Sequence, residues 1–192
     1  MYHLFNPNFK VLQVFETEEK VKIKKQPKKI TKQRLKNIAL YYLKRFESST
    51  DNLRQVLMRR VVDYAYYNPE WNKSEAIVWI DELLNDFVSY GYLNDNRYTE
   101  LKVKNYISAG KSVRYIRAKL KQKGINESQI NDVLQNTEYN QFGAVLLLAK
   151  KKRIGPFRKP EEREDFKQKD LGILLRAGFD YNVVQNVLAY EV

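Results

Sequence analysis

From residue 31 onward the apolar positions recur at spacings of three and four, the period of an amphipathic helix, and polar breaks cut them into short stripes. Leu35, Ile38, Ala39, Tyr42, Leu43 and Phe46 form the first stripe behind Thr31, whose hydroxyl suits an N-cap. "SSTDN" ends it and offers Ser49 or Thr50 as the next cap, ahead of Leu53, Val56, Leu57 and Val61. After "NPEWN", Ser74 is predicted to cap a third helix carrying Ile77, Ile80, Leu83, Leu84 and Phe87, and Gly91 to stop it.

The plan then recurs in shorter form. Asn94 or Asp95 opens a helix with Tyr98, Leu101, Tyr106 and Ile107 that ends at Gly110. Ser112 caps the next, with Val113, Ile116 and Leu120 inside and Gly124 as its stop. "NESQ" at 126–129 has the form of a capping box in which Gln129 reaches back, and Ile130, Val133 and Leu134 follow. A third round begins near Asn140 with Phe142, Val145, Leu146 and Ala149, and continues through Leu171, Leu174 and Leu175 to Gly178. Asp180 then caps Val183, Val184, Val187 and Leu188. "KLKQKGINESQINDVL" and "ILLRAGFDYNVVQNVL" match across fifty-four residues: Leu120 with Leu174, Gly124 with Gly178, Val133-Leu134 with Val187-Leu188.

The pattern predicts an all-α protein, a tandem array of three three-helix repeats at 31–93, 94–137 and 138–192. A short amphipathic helix cannot bury its own apolar stripe, so such units share burial with neighbours and stack into an elongated, curved body. Residues 1–30 lack the helical period; "VKIKKQPKK" reads as a flexible basic arm, with a weak alternation at Val11, Val21 and Ile23 that allows a short strand pair.

Composition narrows the chemistry. The 192 residues contain no cysteine and one histidine, His3, in an unpatterned segment, which leaves no thiolate nucleophile, no Cys-type zinc site and no histidine pair at ligand spacing. Neighbouring carboxylates such as Asp81-Glu82 and Glu161-Glu162 point about 100° apart on a helix and cannot converge on one bond. No phosphate-cradling glycine motif is present. No enzymatic activity and no cofactor are expected. The apolar runs are too short for a membrane span and the first residues lack a secretory layout, so the expected location is the cytoplasm, without membrane association.

The net charge of +12 is unevenly spread. Residues 96–136 hold nine basic and three acidic residues, and 1–30 hold seven and three, whereas 31–95 are balanced at nine each. A polyanion or an acidic protein groove is the partner that such an asymmetry favours. On the helix over 112–123, Arg114, Arg117 and Lys121 share one sector about 100° from the apolar stripe, with Lys119 and Lys123 on its other side. Lys102, Lys104 and Lys111 lie in the same unit. "KKKRIGPFRK" supplies a second cluster, Lys150, Lys151, Lys152, Arg153 and Arg158, although cations also suit a helix C-terminus on dipole grounds alone. Most aromatic residues, Tyr42, Phe46, Phe87, Tyr98 and Phe142 among them, sit at core-facing periods rather than on a stacking platform.

"GYLNDNRY" at 91–98 and "IRAKLKQKGI" at 116–125 resemble the RecX family of bacterial recombinase regulators, supported by "SSTDNLRQVLMRRV", "KKRIGPF" and "DLGILLRAGFDYNVVQNVL". The resemblance spans about residues 31–190 and implies a monomer of tandem three-helix repeats without catalytic residues. It implies binding in the groove, or at the growing end, of the RecA–DNA filament, with inhibition of ATP hydrolysis, strand exchange and co-protease activity in recombination, repair and the SOS response. By likeness, the basic residues of the middle and last repeats would face that filament. The sequence departs from the family in placing Ala109 before Gly110, with Lys111 after it, and in a longer first unit around 62–72. The alternative is an autonomous DNA-binding module, single- or double-stranded, holding phosphates without sequence preference.

Overall fold

The computed structural model describes residues 26–191, and among these every regular element is helical. Nine α-helices follow in order: α1 (Lys32–Leu43), α2 (Thr50–Tyr67), α3 (Ser74–Ser89), α4 (Asp95–Ser108), α5 (Val113–Lys121), α6 (Glu127–Gln135), α7 (Gln141–Lys152), α8 (Arg163–Arg176) and α9 (Tyr181–Leu188). Two single 3₁₀ turns join α7 to α8. The arm and the possible strand pair fall almost wholly outside the described residues; of 26–30, Ile30 is buried in the first core.

Three separate apolar clusters follow the three rounds of the pattern. Leu35, Leu53, Leu57, Val61, Ile80 and Leu93 centre the first. Tyr98, Val103, Ile116, Leu120, Ile125 and Ile130 form the second, and Val145, Ala149, Leu174, Phe179, Val184 and Val187 the third. Local signals explain most boundaries. The side-chain oxygens of Thr31, Ser49, Asn94, Ser112, Asn126 and Asn140 each accept a hydrogen bond from an amide of the first turn. Gly91, Gly110, Gly124 and Gly178 end helices at positive φ.

Several expectations do not hold. Helix α1 ends at Leu43, so Phe46 leaves the helical period and is 54% exposed. In α4 the buried face is Tyr98, Thr99 and Val103, and Leu101 is 42% exposed. Ser74 lies inside α3, where its amide donates to Asn72 Oδ1, and neither Ser74 nor Asp180 caps through its side chain. Asn126 caps α6, but Gln129 does not return to it; its amide group instead bonds Asn96 of α4.

The junctions between repeats are polar and repeat themselves. Ser49, the cap of α2, donates its hydroxyl to the carbonyl of Lys123 at 2.5 Å. Ser112, the cap of α5, donates to the carbonyl of Ala177 at 2.6 Å. In both cases the accepting residue precedes a positive-φ glycine, Gly124 or Gly178, that ends the second helix of the next repeat. A Cβ at Gly124 would overlap Asp51, and one at Gly178 would sit 2.8 Å from Ser112 Oγ. A serine latch and a bare glycine thus let each repeat close on the next.

Candidate functional site

Arg114, Arg117 and Lys121 project from α5 into one groove at the junction of the second and third repeats, of about 720 Å³, walled opposite by Tyr139, Gln141, Gly178, Phe179 and Asp180. The latch sets this geometry. It holds the N-terminus of α5 on the end of α8, and the stem of Arg114 lies directly over Gly178. Tyr139 tightens the same junction by donating its hydroxyl to the Lys111 carbonyl at 3.1 Å, and burial pushes its phenol up to about 12, so it stays a neutral donor.

The groove is not a set of bare cations. Arg117 donates to Glu127 Oε1 at 2.5 Å and to Asn131, and Lys121 pairs with the other Glu127 oxygen. The hydrogen bond from Lys121, with Arg117 beside it, holds the Glu127 carboxyl below its ordinary range, so Glu127 stays a carboxylate at neutral pH. Arg114 is exposed and has no carboxylate partner among the described residues.

The other cations expected at the site are dispersed. Lys111 and Lys119 lie on the far flank of α5, over the Tyr115 ring. Lys102 lies over the Tyr98 ring at 5.4 Å. Lys104 borders a separate recess between α4 and α6 that also holds Glu100 and Asp132. Lys123 donates to Asn52 Oδ1 at 2.7 Å in the first junction. Lys150, Lys151, Lys152 and Arg153 are exposed at the end of α7, where Arg153 takes left-handed backbone as the C-cap. The thirteen cations therefore do not form one surface.

Arg158 is a correction. Its guanidinium grips the carboxylate of Asp170 through Nε at 3.1 Å and Nη2 at 2.9 Å, and stacks on Phe166 at 4.3 Å. Asp170 is 1% exposed and also accepts the Gly155 amide at 2.8 Å. Burial alone would raise the Asp170 carboxyl, but Arg158 and that amide outweigh it and hold it low. The pair fixes the "RIGPF" turn against α8 and is structural. Glu127, Tyr115, Tyr139 and Asp170 were not singled out from sequence; an acid opening the helix after a basic one is the signal that could have found Glu127.

The matching of three-helix units extends to known proteins. The family model "RecX, second three-helix domain" matches residues 94–134, the span of α4 to α6. The regulatory protein RecX of Myxococcus xanthus (strain DK1622) is 35% identical over 167 residues, covering 85% of this chain and 89% of its own. The chain belongs to the RecX family. RecX of Agrobacterium fabrum is 29% identical over 160 residues, 80% of this chain and 81% of that one. Two solved RecX structures share the fold. One, from Lactobacillus salivarius, has a TM-score of 0.59 at 21% identity over 82% of this chain and 94% of that one, and another has 0.60 at 24% over 83% and 73%. The chain is accordingly a regulatory protein of the RecX type, and no described helix is long and apolar enough to cross a membrane.

Proposed function

We propose that this RecX-family chain binds the RecA–DNA filament as a monomer, by the groove between its second and third repeats, and inhibits RecA's ATPase, strand exchange and co-protease activity. The observation that carries the reading is the convergence of Arg114, Arg117 and Lys121 on one latched groove, in a family whose members are named regulatory proteins. A guanidinium presents a planar fork of donors that matches a carboxylate, so a groove headed by Arg114 suits acidic side chains of a protein partner. A filament groove filled by the stacked repeats can neither rearrange for nucleotide turnover nor admit a second DNA. Inhibition of both follows from occupancy alone, with no chemistry in the regulator.

The test is a variant that strips the groove of its positive charge without stressing the fold. Arg114→Glu, Arg117→Gln and Lys121→Gln together avoid setting new carboxylates against Glu127. The parent should co-sediment with RecA nucleoprotein filaments and suppress strand exchange, and the variant should do neither while keeping its helical circular dichroism. Parental binding by a folded variant would rule the groove out.

A further inference from the structure

Helix α5 carries cations on two sides whose surroundings differ in kind. At 100° per residue, Tyr115 and Lys119 point roughly 150° away from the sector of Arg114, Arg117 and Lys121. On that far flank the ammonium of Lys111 lies 5.0 Å, and that of Lys119 5.9 Å, from the centre of the Tyr115 ring. Tyr106 meets the ring edge-on at 5.6 Å. Lys152, from the last turn of α7, joins Lys111 and Tyr115 around a recess of about 220 Å³. Among the described residues, none of these three lysines has a carboxylate partner.

We propose that this flank, Lys111, Lys119 and Lys152 gathered around Tyr115, is a binding site for nucleic-acid phosphates, separate from the arginine groove. A cation already paired with a fixed carboxylate must give up that pair to hold a phosphate, as Arg117 and Lys121 would with Glu127. The three lysines have no such pair to break: Lys119 donates only to a neutral and exposed partner, Gln122 Oε1 at 3.2 Å. Binding a phosphate here releases counterions on the nucleic-acid side only, and that release drives association. An ammonium is a compact point donor suited to a phosphate oxygen, and cation–π attraction to the Tyr115 ring draws Lys111 and Lys119 to one place.

The main chain is fixed in support. The Lys111 amide donates to the Tyr106 carbonyl at 3.0 Å, while its carbonyl accepts from Tyr139. Gly110 lets α7 approach, since a Cβ there would stand 3.0 Å from Leu147, and that approach brings Lys152 beside Lys111. Lys150, Lys151 and Arg153 are exposed at the same end of α7 and extend the positive strip.

This site is independent of the filament reading, and its test uses no recombinase. Fluorescence anisotropy of the full chain is measured against a labelled oligothymidylate and a labelled duplex of equal length, over a salt series. Lys111→Gln, Lys119→Gln and Lys152→Gln together should weaken single-strand binding about 100-fold near 0.1 M salt and flatten the slope of log K against log salt by about 2. Tyr115→Phe keeps the ring and should bind as the parent does. The groove variant with Arg114→Glu, Arg117→Gln and Lys121→Gln should keep most of its DNA affinity. Loss on one oligonucleotide form alone supports the site and tells whether it takes single strands or duplex. Parental affinity and slope for the triple lysine variant on both forms would overturn the proposal.

Discussion

Ser112→Ala tests the claim that one hydroxyl joins two repeats. Ser112 is 2% exposed and has two tasks: its oxygen accepts the Tyr115 amide at 3.2 Å and its hydroxyl donates to the Ala177 carbonyl. Losing the cap costs about 1 kcal/mol. Leaving the Ala177 carbonyl without its donor adds about 1–3 kcal/mol, for a total of about 2–4 kcal/mol. For a chain of this size that is a fall in Tm of about 5–15 °C. Asn94→Ala is the control, since the Asn94 side chain accepts only the Arg97 amide at 2.9 Å and lies outside both latches, so it should cost about 1 kcal/mol. Urea unfolding followed by circular dichroism measures both. A double-mutant cycle sharpens the test: Ser112→Ala with Gly178→Ala strikes one junction and should couple by about 0.5–3 kcal/mol, whereas Ser112→Ala with Gly124→Ala strikes two and should add. If Ser112→Ala costs within about 0.5 kcal/mol of Asn94→Ala, the latch contributes nothing and the reasoning fails.

Three further outcomes are expected. Both tryptophans, Trp71 and Trp79, pack on the first core, so Ser49→Ala should separate the fluorescence transition, which reads the first repeat, from the circular dichroism transition, which reads all three. The low Asp170 carboxyl stabilises the fold above the ordinary aspartate value of about 4, and that contribution is lost as pH falls through the still lower folded value. Asp170→Asn should flatten the acid limb of the stability curve and lower stability at neutral pH, since Arg158 then keeps only Glu162, at 3.7 Å, as a carboxylate partner. Leu120→Ala and Leu174→Ala, at 1% and 0% exposure, should each cost about 2–5 kcal/mol as core cavities, read by the same urea titration.

Much of this architecture was legible because short helices advertise themselves locally. The stripes, the oxygenated caps and the glycine stops all act within a few residues, and Ser49, Asn94, Ser112, Gly110 and Gly124 fall where the pattern put them. What escaped was set at a distance. Phe46 was assigned to the core by extending a period beyond the last turn of α1. Gln129 left its capping box for Asn96, a partner thirty-three residues away. Asp170 reads as one more solvated acid until the Gly155 amide is folded onto it. The latches join residues 74 and 65 positions apart, and only the recurrence of serine and glycine hints at them. At the candidate site, periodicity placed Arg114, Arg117 and Lys121 together, but it could not see Glu127 pairing with two of them or Tyr115 beside the lysines opposite.

The measurement closest to the central claim is ATP hydrolysis by RecA on single-stranded DNA, titrated with this protein. Hydrolysis should fall progressively to a plateau with the parent and stay unchanged with the chain bearing Arg114→Glu, Arg117→Gln and Lys121→Gln. Undiminished hydrolysis at saturating parent, or equal inhibition by the folded variant, would contradict the account.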